Sequence, residues 1–129
     1  MADPLRVLVV EDSPAMRTFV GATLEGDGFE VILTGSGFEA LKLLPRGRFD
    51  LVVTDINMPD INGLELIRLL REGSRHARVP VLIISTDGAE QDRQRGMSLG
   101  ATAYLTKPFG PEALLAAARS ALTGGATAG

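Results

Sequence analysis

The stretch that decides the fold is Asp50-Leu51-Val52-Val53-Thr54-Asp55-Ile56-Asn57-Met58-Pro59, residues 50–59. Its first part is apolar without alternation, as is typical of a strand buried on both faces of a parallel sheet. Asp55 ends this run and opens the turn that follows. Open α/β folds place their ligands outside the carboxyl ends of such strands. We therefore expect Asp55 to lie at a functional site.

Similar apolar runs alternate with segments of helical period along the whole chain. This pattern predicts an α/β fold in which five βα units form one doubly wound parallel sheet with helices on both faces. The strand order expected for this class is the flavodoxin-like 2-1-3-4-5. The runs fall near 5–10, 29–33, 50–54, 80–85 and 102–106, and the first, third and fourth are continuous enough to be buried on both faces.

Capping residues mark the helix starts, and apolar spacing marks the helix faces. Ser13-Pro14 supplies an N-cap hydroxyl and a first-turn proline, and Gly110-Pro111-Glu112 marks the start of the last helix. The fourth helix, about 89–99, has little apolar surface and contains Gly96, so we expect it to be the least firmly docked. One-face spacing occurs in four sets: Met16, Phe19, Val20, Thr23 and Leu24; Phe38, Leu41 and Leu44; Leu66, Ile67 and Leu70; and Leu114, Leu115, Ala118 and Leu122.

Composition restricts the class of protein. The 129 residues suit a single domain, and 45% hydrophobic residues are ordinary for a globular chain. A net charge of −3 without a block of Lys or Arg argues against nucleic acid as a direct partner. The chain has no cysteine, no apolar run long enough for a bilayer and no signal peptide, so we expect a cytoplasmic protein without membrane contact. Residues 123–129 are typical of a flexible tail or the start of a linker.

Charged side chains follow three of the predicted strands. Glu11-Asp12 closes the first strand, Asp55 the third, and Lys107-Pro108 the fifth. Each acid taken singly is more often a helix cap or a solvated loop residue, but the combination at one sheet edge favours a site. Clustered carboxylates raise a carboxyl pKa or recruit a divalent cation, and an all-oxygen set suits Mg²⁺. Asp55 is then placed to act as a nucleophile towards a phosphoryl group, with Lys107 as the cation on the moving group.

Several other positions carry weaker signals or none. Ser85 and Thr86 end the fourth strand, where either hydroxyl could donate to a phosphoryl oxygen, although such a pair is usually turn chemistry. Tyr104 is the only tyrosine, and a single strand aromatic is usually packing. His76, between Arg75 and Arg78, is expected to be an exposed loop histidine. The Lys107-Pro108 bond is a candidate for a cis peptide that would aim the ammonium into the site.

Together these motifs resemble the receiver domain of two-component response regulators, and most of all its single-domain chemotaxis (CheY-like) type. The motifs are Glu11-Asp12 before Ser13, Asp55-Ile56-Asn57-Met58-Pro59 with Gly63 following, and Tyr104-Leu105-Thr106-Lys107-Pro108-Phe109. The resemblance covers about residues 4–122, so residues 1–129 are interpreted as one receiver domain with a tail at 123–129.

The resemblance implies roles for individual residues. Asp55 matches the phosphorylated aspartate, and Lys107 matches the lysine that contacts the phosphate. Glu11, Asp12 and Asp55 match the Mg²⁺ ligands, together with the backbone carbonyl of Asn57.

For the switch, the family's spacing from Lys107 selects Ser85 over Thr86 as the hydroxyl, and Tyr104 matches the switch aromatic. Asn57 and Asp87 match the two positions that tune hydrolysis of the aspartyl phosphate, which implies a short-lived signal.

The function implied is a phosphorylation-controlled switch rather than an enzyme with a separate substrate. A sensor histidine kinase would supply the phosphoryl group, and an unknown effector protein would bind the output face, formed by the fourth helix, the fifth strand and the fifth helix. A monomer or a weak phosphorylation-dependent dimer fits this function, and self-phosphotransfer and autodephosphorylation would be its only chemistry.

Three other functions share features with this sequence. An aspartate-nucleophile phosphatase of the haloacid dehalogenase type requires a second aspartate where Asn57 stands. A flavodoxin-like FMN carrier requires a phosphate-binding first loop, which Glu11-Asp12 would oppose. The third alternative keeps the receiver but makes it one domain of a larger regulator.

Overall fold

The computed structural model describes residues 3–73, 75–86 and 90–124. Strands and helices alternate from the first element to the last, as expected for βα units. The elements are β1 (Arg6–Val10), α1 (Pro14–Gly26), β2 (Glu30–Thr34), α2 (Gly37–Leu43) with a 3-10 turn (Leu44–Arg46), β3 (Leu51–Asp55), α3 (Gly63–Glu72), β4 (Val81–Ser85), α4 (Glu90–Ser98), β5 (Ala103–Thr106) and α5 (Pro111–Leu122).

The five strands form one parallel sheet in the order β2-β1-β3-β4-β5, which confirms the expected flavodoxin-like topology. The register aligns the carboxyl ends of neighbouring strands. Asp55 pairs with Ile84, and Ser85 pairs with Thr106. The residues that end β1, β3, β4 and β5 are therefore brought to one edge of the sheet.

The core consists of two apolar layers, one on each face of the sheet. β3 and β4 are buried along their whole length, and β1 is buried from Val7 onwards, as their continuous apolar sequences predict. Leu8 and Val10 of β1 pack in the layer under α2 and α3, whereas Val7 and Val9 pack in the layer under α1 and α5. The alternation follows from the two-residue period of a strand.

Local signals place the helix starts correctly. The Ser13 hydroxyl accepts a hydrogen bond from the Met16 amide at 3.3 Å, and Pro14 occupies the first turn of α1. The chain leaves α1 through Gly28, whose φ of +95° is a conformation that favours glycine.

Two expectations about burial are wrong. Phe38, assigned to the apolar face of α2, is 56% exposed. Its amide donates to the Asp60 carboxylate at 2.9 Å, because the loop before α3 reaches over and caps the start of α2. His76, expected to be exposed, is buried, and its Nε2 accepts a hydrogen bond from the Phe49 amide at 3.2 Å.

The fourth helix has the sparse apolar surface that its sequence predicts, since Gly96 is its only buried residue among those described. Gly96 nevertheless contributes to docking. A Cβ at this position would lie 2.3 Å from Cδ1 of Ile83 in β4, so the missing side chain lets α4 approach the sheet closely. In the described part of the chain, no helix has both the length and the apolar character needed to cross a bilayer.

Candidate functional site

Glu11 lies directly after β1 and is fully buried. Its amide donates to the Thr34 carbonyl at 3.0 Å, which continues the sheet pairing by one residue. Oε1 accepts a hydrogen bond from Lys107 Nζ at 2.7 Å, and Oε2 accepts one from the Ser13 amide at 3.0 Å. Both carboxylate oxygens are therefore engaged by donors, as a buried charge requires.

Asp55 is the last residue of β3 and is 6% exposed. Its Oδ1 accepts a hydrogen bond from the Ile56 amide at 2.7 Å, and its Oδ2 lies 3.4 Å from Lys107 Nζ. The backbone amide fixes the orientation of the carboxylate, and the second oxygen is turned towards the ammonium.

Asp12 completes the acidic cluster and is exposed. Ligand oxygens of Glu11, Asp12 and Asp55 lie within 4.8 Å of one another. Three hard carboxylate oxygens at this separation fit a divalent cation such as Mg²⁺, which prefers oxygen ligands and keeps several waters. Two of the three strand ends named from the sequence, those of β1 and β3, thus meet in one acidic cluster.

Lys107 follows β5, and the peptide bond to Pro108 is cis, as anticipated. The Lys107 amide donates to the Ser85 carbonyl at 2.7 Å, which ties the chain after β5 to the end of β4. Its ammonium lies between the carboxylates of Glu11 and Asp55, with only 9% of the side chain exposed.

The charges in this cluster perturb one another. Burial raises the pKa of Glu11 above its ordinary value, although the hydrogen bonds from Lys107 and Ser13 oppose the rise. Burial alone would lower the pKa of Lys107, but its hydrogen bond to Glu11 and the negative charge of Asp55 outweigh burial and raise it. The two directions are compatible, because one describes a carboxylate removed from water and the other an ammonium facing two acids. Lys107 is therefore a cation at neutral pH.

The two positions matched to a switch by the resemblance lie on β4 and β5. Ser85 is fully buried at the end of β4, next to β3 in the sheet, whereas Thr86 is exposed. Tyr104 on β5 is half-buried and packs against the apolar layer under α2 and α3. Of the two hydroxyls left open by the sequence, Ser85 is thus the buried one.

The two positions expected to tune hydrolysis differ in what the structure describes. Asn57 lies in the loop after β3 and is exposed. Asp87 lies outside the described residues.

Two residues of the site had no role assigned from the sequence. Arg17 on α1 donates to the Glu11 carbonyl at 2.9 Å, and thereby supports the acidic loop. Gly63, the first residue of α3, lies against β3 so closely that a Cβ would be 2.1 Å from the Asp55 carbonyl oxygen. Its place after Asp55-Ile56-Asn57-Met58-Pro59 was the only sequence signal for this contact, and Arg17 offered none.

The sequence also matches a known protein family, whose function accounts for the geometry of this site. A family model for the response regulator receiver domain matches residues 7–119. The chain belongs to this family. Receiver domains are phosphorylation-controlled switches of two-component signalling systems, and this function applies to the chain. They are signalling modules rather than metabolic enzymes, and they bind Mg²⁺ at an acidic site of the kind that Glu11, Asp12 and Asp55 form.

Solved receiver domains superpose on nearly the whole chain. The chemotaxis response regulator CheY4 of Vibrio cholerae is 36% identical with a TM-score of 0.87, and the match covers 92% of this chain and 98% of that one. The receiver domain of the sensor histidine kinase PA1611 of Pseudomonas aeruginosa, solved with a magnesium ion in its active site cleft, is 28% identical with a TM-score of 0.85. That match covers 93% of this chain and 98% of the PA1611 domain.

Sequence relatives are longer proteins. The transcriptional regulatory protein TrcR of Mycobacterium tuberculosis is 37% identical over 119 residues, which cover 92% of this chain and 46% of TrcR. The chain spans about half the length of the curated relatives it matches.

Proposed function

We propose that Asp55 accepts a phosphoryl group from the phosphohistidine of a sensor histidine kinase. The observation that carries this proposal is the setting of the Asp55 carboxylate at the end of β3. One oxygen is held by the Ile56 amide at 2.7 Å, and the other faces the Lys107 ammonium at 3.4 Å. A carboxylate with one oriented oxygen and a cation beside it suits attack on phosphorus.

In this transfer an Asp55 oxygen forms a bond to phosphorus while the bond from phosphorus to the histidine nitrogen breaks. The nitrogen keeps the electron pair, and the product on this chain is an acyl phosphate. The Lys107 ammonium, which now faces Asp55 Oδ2, would also interact with a phosphoryl oxygen and stabilise its negative charge. Such transfers depend on positioning and charge stabilisation more than on covalent help from the protein.

Glu11, Asp12 and Asp55 would hold Mg²⁺, with the backbone carbonyl of Asn57 as a further ligand. Bound there, the ion would neutralise charge on the phosphoryl oxygens. Both oxygens of Glu11 already accept hydrogen bonds, so its main contribution would be negative charge and the placement of Lys107. Asp12 is exposed, so its carboxylate oxygens would be more available to coordinate the ion than those of Glu11.

Ser85 would report the phosphorylation to the surface. Ser85 is buried at the end of β4, which supports a role for its hydroxyl as a donor to a phosphoryl oxygen. Movement of Ser85 towards the phosphoryl group would leave space for Tyr104 to turn inward. The output face would then comprise α4, β5 and α5, because α4 contributes little apolar surface to the core. Asn57 and Asp87 would set the lifetime of the acyl phosphate, and both assignments stay predictions.

The output is proposed to be protein contact, with no direct nucleic-acid binding by this domain, in a monomer or weak phosphorylation-dependent dimer. The net charge of −3 supports this. The match to about half of TrcR favours a second candidate, in which this receiver controls a DNA-binding part of a longer protein. Immunoblotting source cells for the length of the native protein would separate the two.

The cytoplasmic location and the flexible tail, whose residues 125–129 lie outside those described, also stay predictions.

Phosphorylation can be tested with acetyl phosphate and Mg²⁺ by intact-protein mass spectrometry. We expect one base-labile phosphoryl group, its loss in Asp55→Asn, and suppression by EDTA. Asp60→Asn is the matched control, since Asp60 is an exposed acid in the same loop whose oxygens accept from the Gly37 and Phe38 amides. Full labelling of Asp55→Asn, or loss of labelling in Asp60→Asn alone, would refute the assignment.

A further inference from the structure

A groove of about 560 Å³ opens at the amino ends of β3 and β4, the end of the sheet opposite the acidic cluster. The groove and the acidic cluster lie at opposite ends of β3, whose five residues span roughly 16 Å at the usual rise of a strand. We call this groove the arginine groove. Its polar lining comprises Arg48, Arg75, Arg78, Asp50 and His76, and its apolar lining Phe49, Val79 and Pro80.

The groove lining carries three guanidinium groups and one carboxylate. Within the described residues, Arg48, Arg75 and Arg78 form no ion pair, and the one hydrogen bond made by their side chains is from Arg75 to the Gly47 carbonyl at 3.4 Å. The single carboxylate of the lining, Asp50, already accepts a hydrogen bond from the Arg6 amide at 2.8 Å. Three guanidinium groups against the one carboxylate of Asp50 leave the lining net positive, in a chain whose net charge is −3.

His76 adds an oriented donor. Because its Nε2 accepts from the Phe49 amide, the ring is neutral and carries its proton on Nδ1. His76 is only 7% exposed, but no fully buried side-chain nitrogen of the described residues lacks a partner, so Nδ1, for which no protein acceptor is seen, keeps contact with the solvent of the groove. An oriented N–H donor that keeps contact with solvent, in the wall of a groove lined by arginines, suits a negatively charged oxygen from outside the chain.

We propose that the arginine groove binds a phosphate-bearing small molecule of about nucleotide size. Guanidinium forks recognise phosphate oxygens in pairs, and the apolar lining offers a surface for the uncharged part of the ligand. The volume falls within the usual range for small-molecule sites. A concave groove with three arginines in its lining suits a compact anion better than the extended backbone of a nucleic acid.

The full chain can be titrated with sodium pyrophosphate and with ADP, in EDTA so that no metal ion occupies the acidic cluster. In ¹⁵N NMR spectra we expect amide shifts at Phe49, His76 and Val79, with the amides around Asp55 unmoved. Pyrophosphate binding alone would identify the phosphate as the recognised group, and tighter binding of ADP would add recognition of the nucleoside.

Removal of the cations should weaken binding in a graded way. Each charge-assisted hydrogen bond changes affinity by about tenfold or more, so Arg75→Gln/Arg78→Gln should bind roughly 100-fold more weakly. Arg95→Gln is the matched control, because Arg95 is an exposed arginine of α4 outside the groove. This variant should bind pyrophosphate and ADP with unchanged affinity. Both arginines of the double variant are exposed, so its thermal melt should match that of the parent.

Four results would overturn the proposal. They are the absence of shifts with both ligands, shifts centred on Lys107 instead, an equal loss in Arg95→Gln, and binding of a short DNA duplex without binding of pyrophosphate or ADP.

Discussion

Gly63→Ala should damage the proposed phosphoacceptor site at Asp55 although it adds only one methyl group. Gly63 does not have a left-handed φ, so its requirement for glycine is purely one of space. A Cβ would lie 2.1 Å from the Asp55 carbonyl oxygen and 3.0 Å from the Ile56 Cα, both backbone atoms that cannot rotate away. The Gly63 amide also donates to the Ile56 carbonyl at 2.7 Å, which holds the two segments together.

The magnitude follows from the distance. Real Cβ contacts stay beyond 3.0 Å, so the start of α3 and the end of β3 must separate by roughly 1 Å. Overpacking of this kind costs about 1–3 kcal/mol of unfolding free energy. A displacement of about 1 Å at a reacting group lowers a rate by up to about 10²-fold. We expect both effects in Gly63→Ala.

Urea denaturation and the rate of labelling by acetyl phosphate, followed by intact mass, would measure the two effects. Gly26→Ala is the matched control, because a Cβ at the end of α1 meets nothing within 4 Å. It should label at the parental rate and be as stable or slightly more stable. If Gly63→Ala matched Gly26→Ala in both measurements, the close approach of α3 to Asp55 would be refuted.

Two further predictions concern other parts of the fold. Burial and the charge of Arg75 lower the pKa of His76, so the neutral ring stabilises the fold above the unfolded-state pKa of about 6.5, and this stability is lost as pH falls below it. Unfolding free energy measured from pH 7 to pH 5 should therefore fall more steeply in the parent than in His76→Gln, which keeps an acceptor for Phe49; parallel curves would contradict this. Gly96→Ala should cost about 1–3 kcal/mol through contact with Ile83 Cδ1, partly offset by about 1 kcal/mol of helix propensity. Ile83→Val, which removes that atom, should cost about 1 kcal/mol alone but little or nothing in the Gly96→Ala background, and additive losses in urea melts would contradict the contact.

The sequence alone determined the features that depend on residues close together in the chain. Continuous apolar runs identified β1, β3 and β4 as buried strands, because a strand enclosed on both faces has no polar side to show. Ser13 and Gly110 marked helix starts, since capping depends on residues within one turn. The acids and the lysine could be assigned to one edge because every strand of a parallel sheet ends on the same side.

Only the tertiary structure decided which side chains meet and how closely. Lys107 and Glu11 are 96 residues apart in the chain, and their 2.7 Å contact depends on how β5 and β1 are placed across the sheet. Burial of His76 and the close contacts of Gly63 and Gly96 likewise depend on neighbouring elements, which periodicity along one segment does not encode. Glycine in a sequence is compatible with a turn, a loose helix or a tight contact. Only the packing of a second element against it distinguishes these cases, because the free energy of that contact belongs to both elements together.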